Sequence, residues 1–504
     1  MQENHKFTKH AGIVSFGILL SRILGFVRDL LLAHYFSATT RGIFFAAWLV
    51  PNTLRLLLGE GALSSSFIPV FVRYLKSDKK KAWILSSIVI NLLLFVTSLI
   101  VLIGIIFSPI ISSIVAPGFI KLGLIPLMSK VLRFIFPYLI FICISAFIMG
   151  ILNSLNRFGP PAISSSLLNI SFIVFILFIC PRLENPIFGL CIAVLVGGLL
   201  QVAVQIPTLL SEKLEYRPII SLSHPGVLEV GIKMLPAIIG FAVYQVNITI
   251  DTILASLIGP SAISNLYYAN RLIDFPLALF GTAIGIVSLP SLSRFISDND
   301  IKSAKETLNL SLRLVVTFVI PASIGLIVLG KEVIDLLFEH GEFSRNETNA
   351  CYLALFFYSI GLIFFSWIKP VVSFFYAMGD TKTPLKVSIF CMILNIFLNL
   401  IFIKPLEEGG IALATSMSSW INFSILTIIL KRRVGILGLE PILKTLIKTT
   451  VASILMGIFL FTLAKTGLNV LLVIIIGVIV YFLLGLGIKI SELSFTVKSL
   501  LKFK

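Results

Sequence analysis

Long apolar runs alternate along this chain with short breaks rich in charge, proline or glycine. A run of roughly 18 apolar residues crosses ~30 Å of hydrocarbon as a helix, and such runs recur from end to end. Cutting the sequence at its breaks predicts about fourteen helices. Their windows are 11–34, 43–70, 84–108, 126–153, 161–180, 187–210, 227–258, 266–292, 309–329, 348–378, 385–404, 408–430, 442–464 and 468–489. The fold class this implies is an all-α polytopic membrane protein. The first run follows His5, Lys6, Lys9 and His10; it is too long for a signal-peptide core and lacks a small-x-small cleavage site, so it is expected to be retained.

Composition agrees. Of 504 residues, 58% are hydrophobic and 12% charged, with mean hydropathy +1.06; globular chains run closer to half apolar and about a quarter charged. The net charge of +17 raises the question of nucleic acid. The basic residues, however, gather in short loops, such as Arg73 to Lys81 and Lys431 to Arg433, where the positive-inside rule accounts for them and no polynucleotide partner is needed. With an even helix count and both termini in the cytoplasm, inside loops outweigh outside loops in Lys and Arg by about three to one. The outside set is Arg41, Lys121, Lys130, Arg182, Lys331, Arg345, Lys404 and Lys465, and the outside loop 330–347 is acidic. The five cysteines stand singly in apolar segments without metal-ligand spacing and read as small buried hydrophobes.

The chain also carries a weak copy of itself. "IFFAAWLVP" at 43 resembles "LYYANRLID" at 266, "IPVFVRY" at 68 resembles "LPSLSRF" at 289, and "NRFGPPA" at 156 resembles "GDTKTPL" at 379, all at nearly one interval. Six helices separate the copies, so the halves are parallel repeats related by an axis along the membrane normal. Residues 1–220 and 225–433 become two six-helix lobes around a central cavity, and 440–490 supplies two further helices. Paired lobes of this kind are the usual build of an alternating-access carrier.

The informative residues are ionisable ones inside spans, each costing about 2.5–3.5 kcal/mol at a helix centre on insertion scales. The stretch "GILLSRILGFVRDLLLAHYF" holds Arg22, Arg28 and Asp29; helix 2 holds Arg55 and Glu60. The second lobe holds Asp251, Arg271, Asp274 and Lys369, while Arg133 and Lys233 sit near span ends, where they can snorkel. Pairing of Arg28 or Arg55 with Glu60, and of Arg271 with Asp274, is one explanation. It leaves cations in excess in the first lobe, with Asp29 expected on a different helix face from Arg28. Guanidinium groups around a water-filled cavity suit a phosphate or carboxylate ligand held bidentately. Small residues in "GEGALSSSF" suit close packing or a cavity wall alike, and the prolines of "GPP" and "TKTP" suit a helix's first turn. Asp251, Asn395, Asn399 and Thr415 together offer oxygen ligands for a monovalent hard cation; interhelical hydrogen bonding is the plainer use of the last three. GxSxG, GxxxxGK[ST] and HExxH are all missing from the sequence, so the expectation is a protein that is not an enzyme and requires no cofactor.

The motifs "SRILGFVRD" (21–29), "PNTLRLLLGEGALSSSFIPVF" (51–71), "YYANRLIDFP" (267–276) and "GDTKTPLK" (379–386) resemble those of the MurJ (MviN) family of lipid II flippases, within the multidrug/oligosaccharidyl-lipid/polysaccharide exporter superfamily. The resemblance covers essentially the whole chain. It implies movement of undecaprenyl-pyrophosphoryl-disaccharide-pentapeptide from the inner to the outer leaflet of a bacterial cytoplasmic membrane. It also implies pyrophosphate contacts at Arg22, Arg28, Arg55 and Arg271, with Glu60 beside them, and Asp29, Asp274 and Lys369 as supporting charges. An isoprenoid-tail groove at 442–489, and a sodium ion at Asp251, Asn395, Asn399 and Thr415 in some members, follow in the same way. The implied partners are lipid II, membrane lipids and cell-wall synthesis proteins around a monomeric carrier. Gly42, Leu49 and Leu56 depart from the Asp, Lys and Arg of many members. The competing readings are another exporter of the superfamily, for lipid-linked polysaccharide or for cationic drugs, and a scaffold that moves nothing. An arginine-rich first lobe argues against the cationic-drug exporter, and the intact arginine set argues against the scaffold.

Overall fold

The computed structural model describes residues 2–494 apart from 213 and 437, and the side chains of residues 2–11, 13, 60, 62, 237, 239, 243, 244 and 439 lie outside the described set. Among the described residues every regular element is helical. The order is α1 (Gln2–Tyr35), α2 (Ala38–Ser77), α3 (Lys79–Ile106), α4 (Ile125–Ser154), α5 (Gly159–Arg182), α6 (Pro186–Ser211), α7 (Pro225–Ile258), α8 (Pro260–Ser297), α9 (Ile301–Phe338) and α10 (Arg345–Ala377). One continuous stretch, Lys382–Val434, follows, then α13 (Leu439–Ala464) and α14 (Val470–Gly487). Within Lys382–Val434, Glu407 takes φ 47°, ψ −124°, two residues after Pro405, so the stretch has two legs, α11 (382–406) and α12 (408–434). Twelve of the described helices are long and apolar enough to cross a membrane, counting Lys382–Val434 once; α1 stands outside that count.

Local chemistry sets the breaks. Ser37 caps α2, its hydroxyl accepting from the Thr40 amide at 3.4 Å. Prolines open α5 and α6 in their first turns, where a missing N–H costs nothing. Ser344 and Glu347 form a reciprocal capping box that starts α10. Gly379, at φ +74°, ends α10 in a conformation that disfavours a Cβ.

Three of the described helices carry a π-turn, α5 at Phe175–Ile179 and two others in matching positions. α2 passes through a π-turn at Leu56–Gly61, and α8 through another at Leu277–Thr282. These fall at corresponding places in the two sequence copies. Each widens a helix that also carries prolines, Pro51 and Pro69 in α2, Pro276 and Pro290 in α8.

Packing divides the chain into two compact units, Met1–Ile263 and Ser264–Lys504. The sequence copies divide between 220 and 225, whereas α7 packs with the first unit. Glu229 on α7 pairs with Arg73 on α2, and the Ser256 hydroxyl accepts from the Gly118 amide at 3.2 Å. Lipid tails are as apolar as leucine, so close backbone approach holds such helices together. A Cβ at Gly17 would lie 2.6 Å from the Ala162 carbonyl oxygen, and one at Gly42 only 2.1 Å from that of Pro260. The first unit's core is built on Trp83, Tyr138, Phe67, Phe71 and Phe172. In the second unit Tyr268, Phe338 and Phe374 are buried, and α13 and α14 join α9 through Leu329, Met456, Leu460 and Tyr481. The Tyr481 hydroxyl donates to the Thr317 carbonyl at 2.5 Å, tying α14 to α9.

Candidate functional site

The first unit builds its clearest site on α1. Arg28 donates from Nε and Nη2 to Asp29 Oδ1 at 3.0 and 2.7 Å, and from Nη1 to Asn169 Oδ1 at 3.1 Å. Asn169, on α5, also donates to the Ser21 carbonyl at 3.0 Å, so it bridges two turns of α1. The Arg28 guanidinium lies 5.5 Å from the centre of the Phe172 ring, a cation–π distance. Phe172 is itself wedged against Phe44 and Trp48 of α2. The Asp29 side chain is fully buried and that of Arg28 is 15% exposed. Arg28 is thus a fixed, partly exposed cation, its orientation set by a carboxylate, an amide and an aromatic face.

Asp29 and Arg28 stand on different faces of α1 and still pair. Successive helical residues diverge by about 100°, but the long arginine stem folds back over that angle and delivers the guanidinium to its neighbour. Of the other first-unit candidates, Arg22 is exposed six residues earlier on the same helix. Arg55 is half-buried at the edge of the π-turn, where its Nε donates to Asn52 Oδ1 at 3.1 Å. The Glu60 side chain lies outside the described residues. Asp251 on α7 accepts from the Asn247 amide at 3.4 Å.

In the second unit Arg271 is half-buried, with Asp274 one turn further along α8 and exposed. Lys369 lies on α10 where that helix crosses α8 closely: a Cβ at Gly285 would lie 2.9 Å from the Lys369 Cβ, and the Ser373 hydroxyl donates to the Gly285 carbonyl at 2.9 Å. Asn395, Asn399 and Thr415 come together. The Asn399 amide donates to Asn395 Oδ1 at 2.9 Å, and the Asn395 amide donates to Thr415 Oγ1 at 3.2 Å. Both asparagines are buried, and their amide and hydroxyl oxygens are hard donors of the type a monovalent cation takes. Asp251 belongs to the first unit and these three to the second.

Several polar residues carry more structure than the sequence suggested. Arg41, expected in an outside loop, is buried within α2, and its Nη1 donates to the Ala33 carbonyl at 2.9 Å. The reason is local: the Ser37 cap starts α2 before Arg41 and turns the guanidinium back onto α1. Arg133 and Lys233 are held rather than loose, by Ser108 at 2.7 Å and Glu229 at 2.8 Å. Buried Glu408 accepts from the Asn265 amide at 3.1 Å, just past the Glu407 kink. Arg313 on α9 pairs with buried Glu492 at 2.7 Å. Arg313 falls inside the predicted window 309–329, but its partner is distant in sequence and nothing there marks the pair. "GDTKTP" resolves into a clamp: Asp380 accepts from the Thr383 amide and hydroxyl at 2.9 and 2.6 Å and from Arg433 at 2.5 Å. Burial pushes the Asp380 carboxyl up, but Thr383 and the Arg433 guanidinium outweigh it and hold the group down to about 2.

Comparison with known proteins fits this picture. The family model described as lipid II flippase MurJ matches residues 32–482. A probable lipid II flippase MurJ from Buchnera aphidicola subsp. Baizongia pistaciae is 37% identical over 446 residues, which is 88% of this chain and 87% of that protein. Among solved structures, a lipid II flippase MurJ in an inward closed conformation superposes with TM-score 0.78 and 27% identity, covering 94% of this chain and 97% of that one. An inward-facing MATE-family multidrug transporter reaches TM-score 0.70 at 13% identity over 83% of this chain and 96% of that one, a likeness of fold alone.

Proposed function

Because the chain belongs to the MurJ family of lipid II flippases, we propose that it translocates lipid II, the undecaprenyl-pyrophosphate-linked peptidoglycan precursor, between leaflets of a bacterial cytoplasmic membrane by alternating access. The observation that carries the proposal at the level of residues is the fixed guanidinium of Arg28, braced by Asp29, Asn169 and Phe172 within an apolar span and still 15% exposed. A cation oriented in advance loses little freedom when it meets an oxyanion, and a planar fork matches two phosphate oxygens.

In this reading Arg22, Arg28, Arg55 and Arg271 contact the pyrophosphate. Asp29 positions Arg28 and lowers the local charge, so that product can leave. Asp274 and Lys369 tune the second unit's charge, and Glu60 belongs to the same set. The isoprenoid tail lies along α13 and α14, whose outer faces expose Leu443, Ile447, Ile454, Ile458 and Ile475. Both termini are cytoplasmic, the working unit is a monomer, and the protein transports without catalysing a covalent step. A sodium ion would be held by Asn395, Asn399 and Thr415 with Asp251, and it would supply a second drive besides the membrane potential. At ~2.3 kcal/mol per charge per 100 mV, potential alone biases a two-charge transfer by several kcal/mol.

The test is complementation of a strain depleted of its own lipid II flippase, combined with a leaflet-resolved assay of lipid II. The wild-type chain should restore growth and outer-leaflet lipid II. Growth without outer-leaflet lipid II would leave a scaffold role and remove the transport reading.

A further inference from the structure

A second cationic site lies in the second unit, built on none of the cavity charges assigned above. A cavity of about 160 Å³ opens where α9, the first turns of α13 and the segment after α14 meet. Arg313, Lys444 and Lys448 line it, with Thr445, Ser491 and Glu492. Glu492 is already engaged: it takes the Arg313 guanidinium at 2.7 Å, the Ser491 hydroxyl at 2.9 Å and the Thr445 hydroxyl at 3.4 Å. That leaves two lysines. Lys448 donates to the Lys489 carbonyl at 3.0 Å, using one of its three N–H groups. Among the described residues Lys444 meets Glu440, in a pair whose partners are 70% and 78% exposed, a geometry that contributes little. Arg313 Nε is buried and has no hydrogen-bond partner among the described residues.

The surroundings identify the ligand. Directly along α13 from the lysines run Leu443, Ile447, Val451, Ile454 and Ile458, all large, apolar and exposed. Cations at the foot of a lipid-facing apolar band meet the membrane where headgroups lie, and lysine side chains reach that level readily. The Thr445 and Ser491 hydroxyls already donate to Glu492, so the two lysines are the groups that meet an anion here. We infer that this cavity is a binding site for the phosphate group of an anionic membrane lipid, held by Lys444 and Lys448 and oriented by the Arg313–Glu492 pair. The site goes beyond the translocation reading and does not depend on it. Its role is to hold α13 and α14 at a defined depth against α9.

Native mass spectrometry of the full chain, released from neutral detergent, reads the site with three probes: phosphatidylglycerol, phosphatidylcholine and inorganic phosphate. The wild-type chain should retain phosphatidylglycerol over phosphatidylcholine, and equimolar inorganic phosphate should not displace it. Each basic residue near an anionic surface is worth about fivefold in affinity, so K444Q/K448Q should bind roughly 25-fold more weakly and K444Q alone about fivefold. Lys80→Gln, at an exposed lysine of the first unit, should bind as the wild type does. Equal retention by K444Q/K448Q, or the same loss with Lys80→Gln, would overturn the site. Displacement by inorganic phosphate would overturn the lipid as its source. K444Q alone alters a side chain that is 70% exposed, which keeps the test decisive should the double variant fold poorly.

Discussion

At the scale of single residues, the first unit's chemistry turns on Arg28 and Asp29. Removing Arg28 leaves a buried carboxylate without its cation, a change that costs on the order of 3–5 kcal/mol when one partner of a buried pair is deleted. Arg28→Ala should therefore lower the melting temperature as well as abolish lipid II transport. The double variant R28A/D29N separates the two effects, because it removes the stranded charge. Thermal melts should show stability largely recovered in the double variant, while outer-leaflet lipid II stays at the depleted level. Recovery of transport together with stability would reduce Arg28 to a structural role. The candidate charges themselves were legible in the sequence, since an arginine in an apolar run is conspicuous. Their partners were not: Asn169 lies 141 positions from Arg28, and Phe172 reads as one more apolar residue. Only the packing of α5 on α1 brings them to the guanidinium.

At the scale of elements, hydropathy delivered the helices because hydrocarbon thickness forces their length. It missed features that cost little apolarity. The π-turns at Leu56–Gly61 and Leu277–Thr282 keep the same hydrophobic average as an α-helix, and Arg41 hides behind a serine cap. Close approaches are equally silent. Gly42 faces the Pro260 carbonyl so tightly that even a methyl group has no room, and overpacking of this kind costs about 1–3 kcal/mol. Gly42→Ala should lower the melting temperature by several degrees, and an unchanged melt would mean that α2 and the start of α8 part easily. The turn between α10 and α11 makes a pH prediction. Asp380 is held down to about 2 in the folded chain, against about 3.9 in an unfolded one. A depressed pKa stabilises above the unfolded value, so this contribution is full above about pH 4 and fades as pH falls toward 2. Denaturation curves across that window should lose a component in D380N that the wild type retains.

At the scale of the whole molecule, loop charge predicts an orientation with both termini cytoplasmic, and labelling reads it directly. The native cysteines are all buried, so single cysteines introduced at exposed Glu342 and Lys302 report alone. A membrane-impermeant maleimide added to intact cells should label the Glu342 position and spare the Lys302 position; the reverse pattern would invert the topology. Composition placed the chain in the membrane, and internal repetition, family motifs and the fold all point to a carrier. What sequence left unwritten is the pairing of charges within each unit, which depends on contacts between helices far apart in the chain. The central claim is that a fixed Arg28 serves translocation and not merely folding. The most direct test is a leaflet-resolved lipid II assay in a flippase-depleted strain carrying wild type, R28A or R28A/D29N at matched membrane levels. Outer-leaflet lipid II should appear with the wild type alone, and its return in the stably folded R28A/D29N chain would contradict the claim.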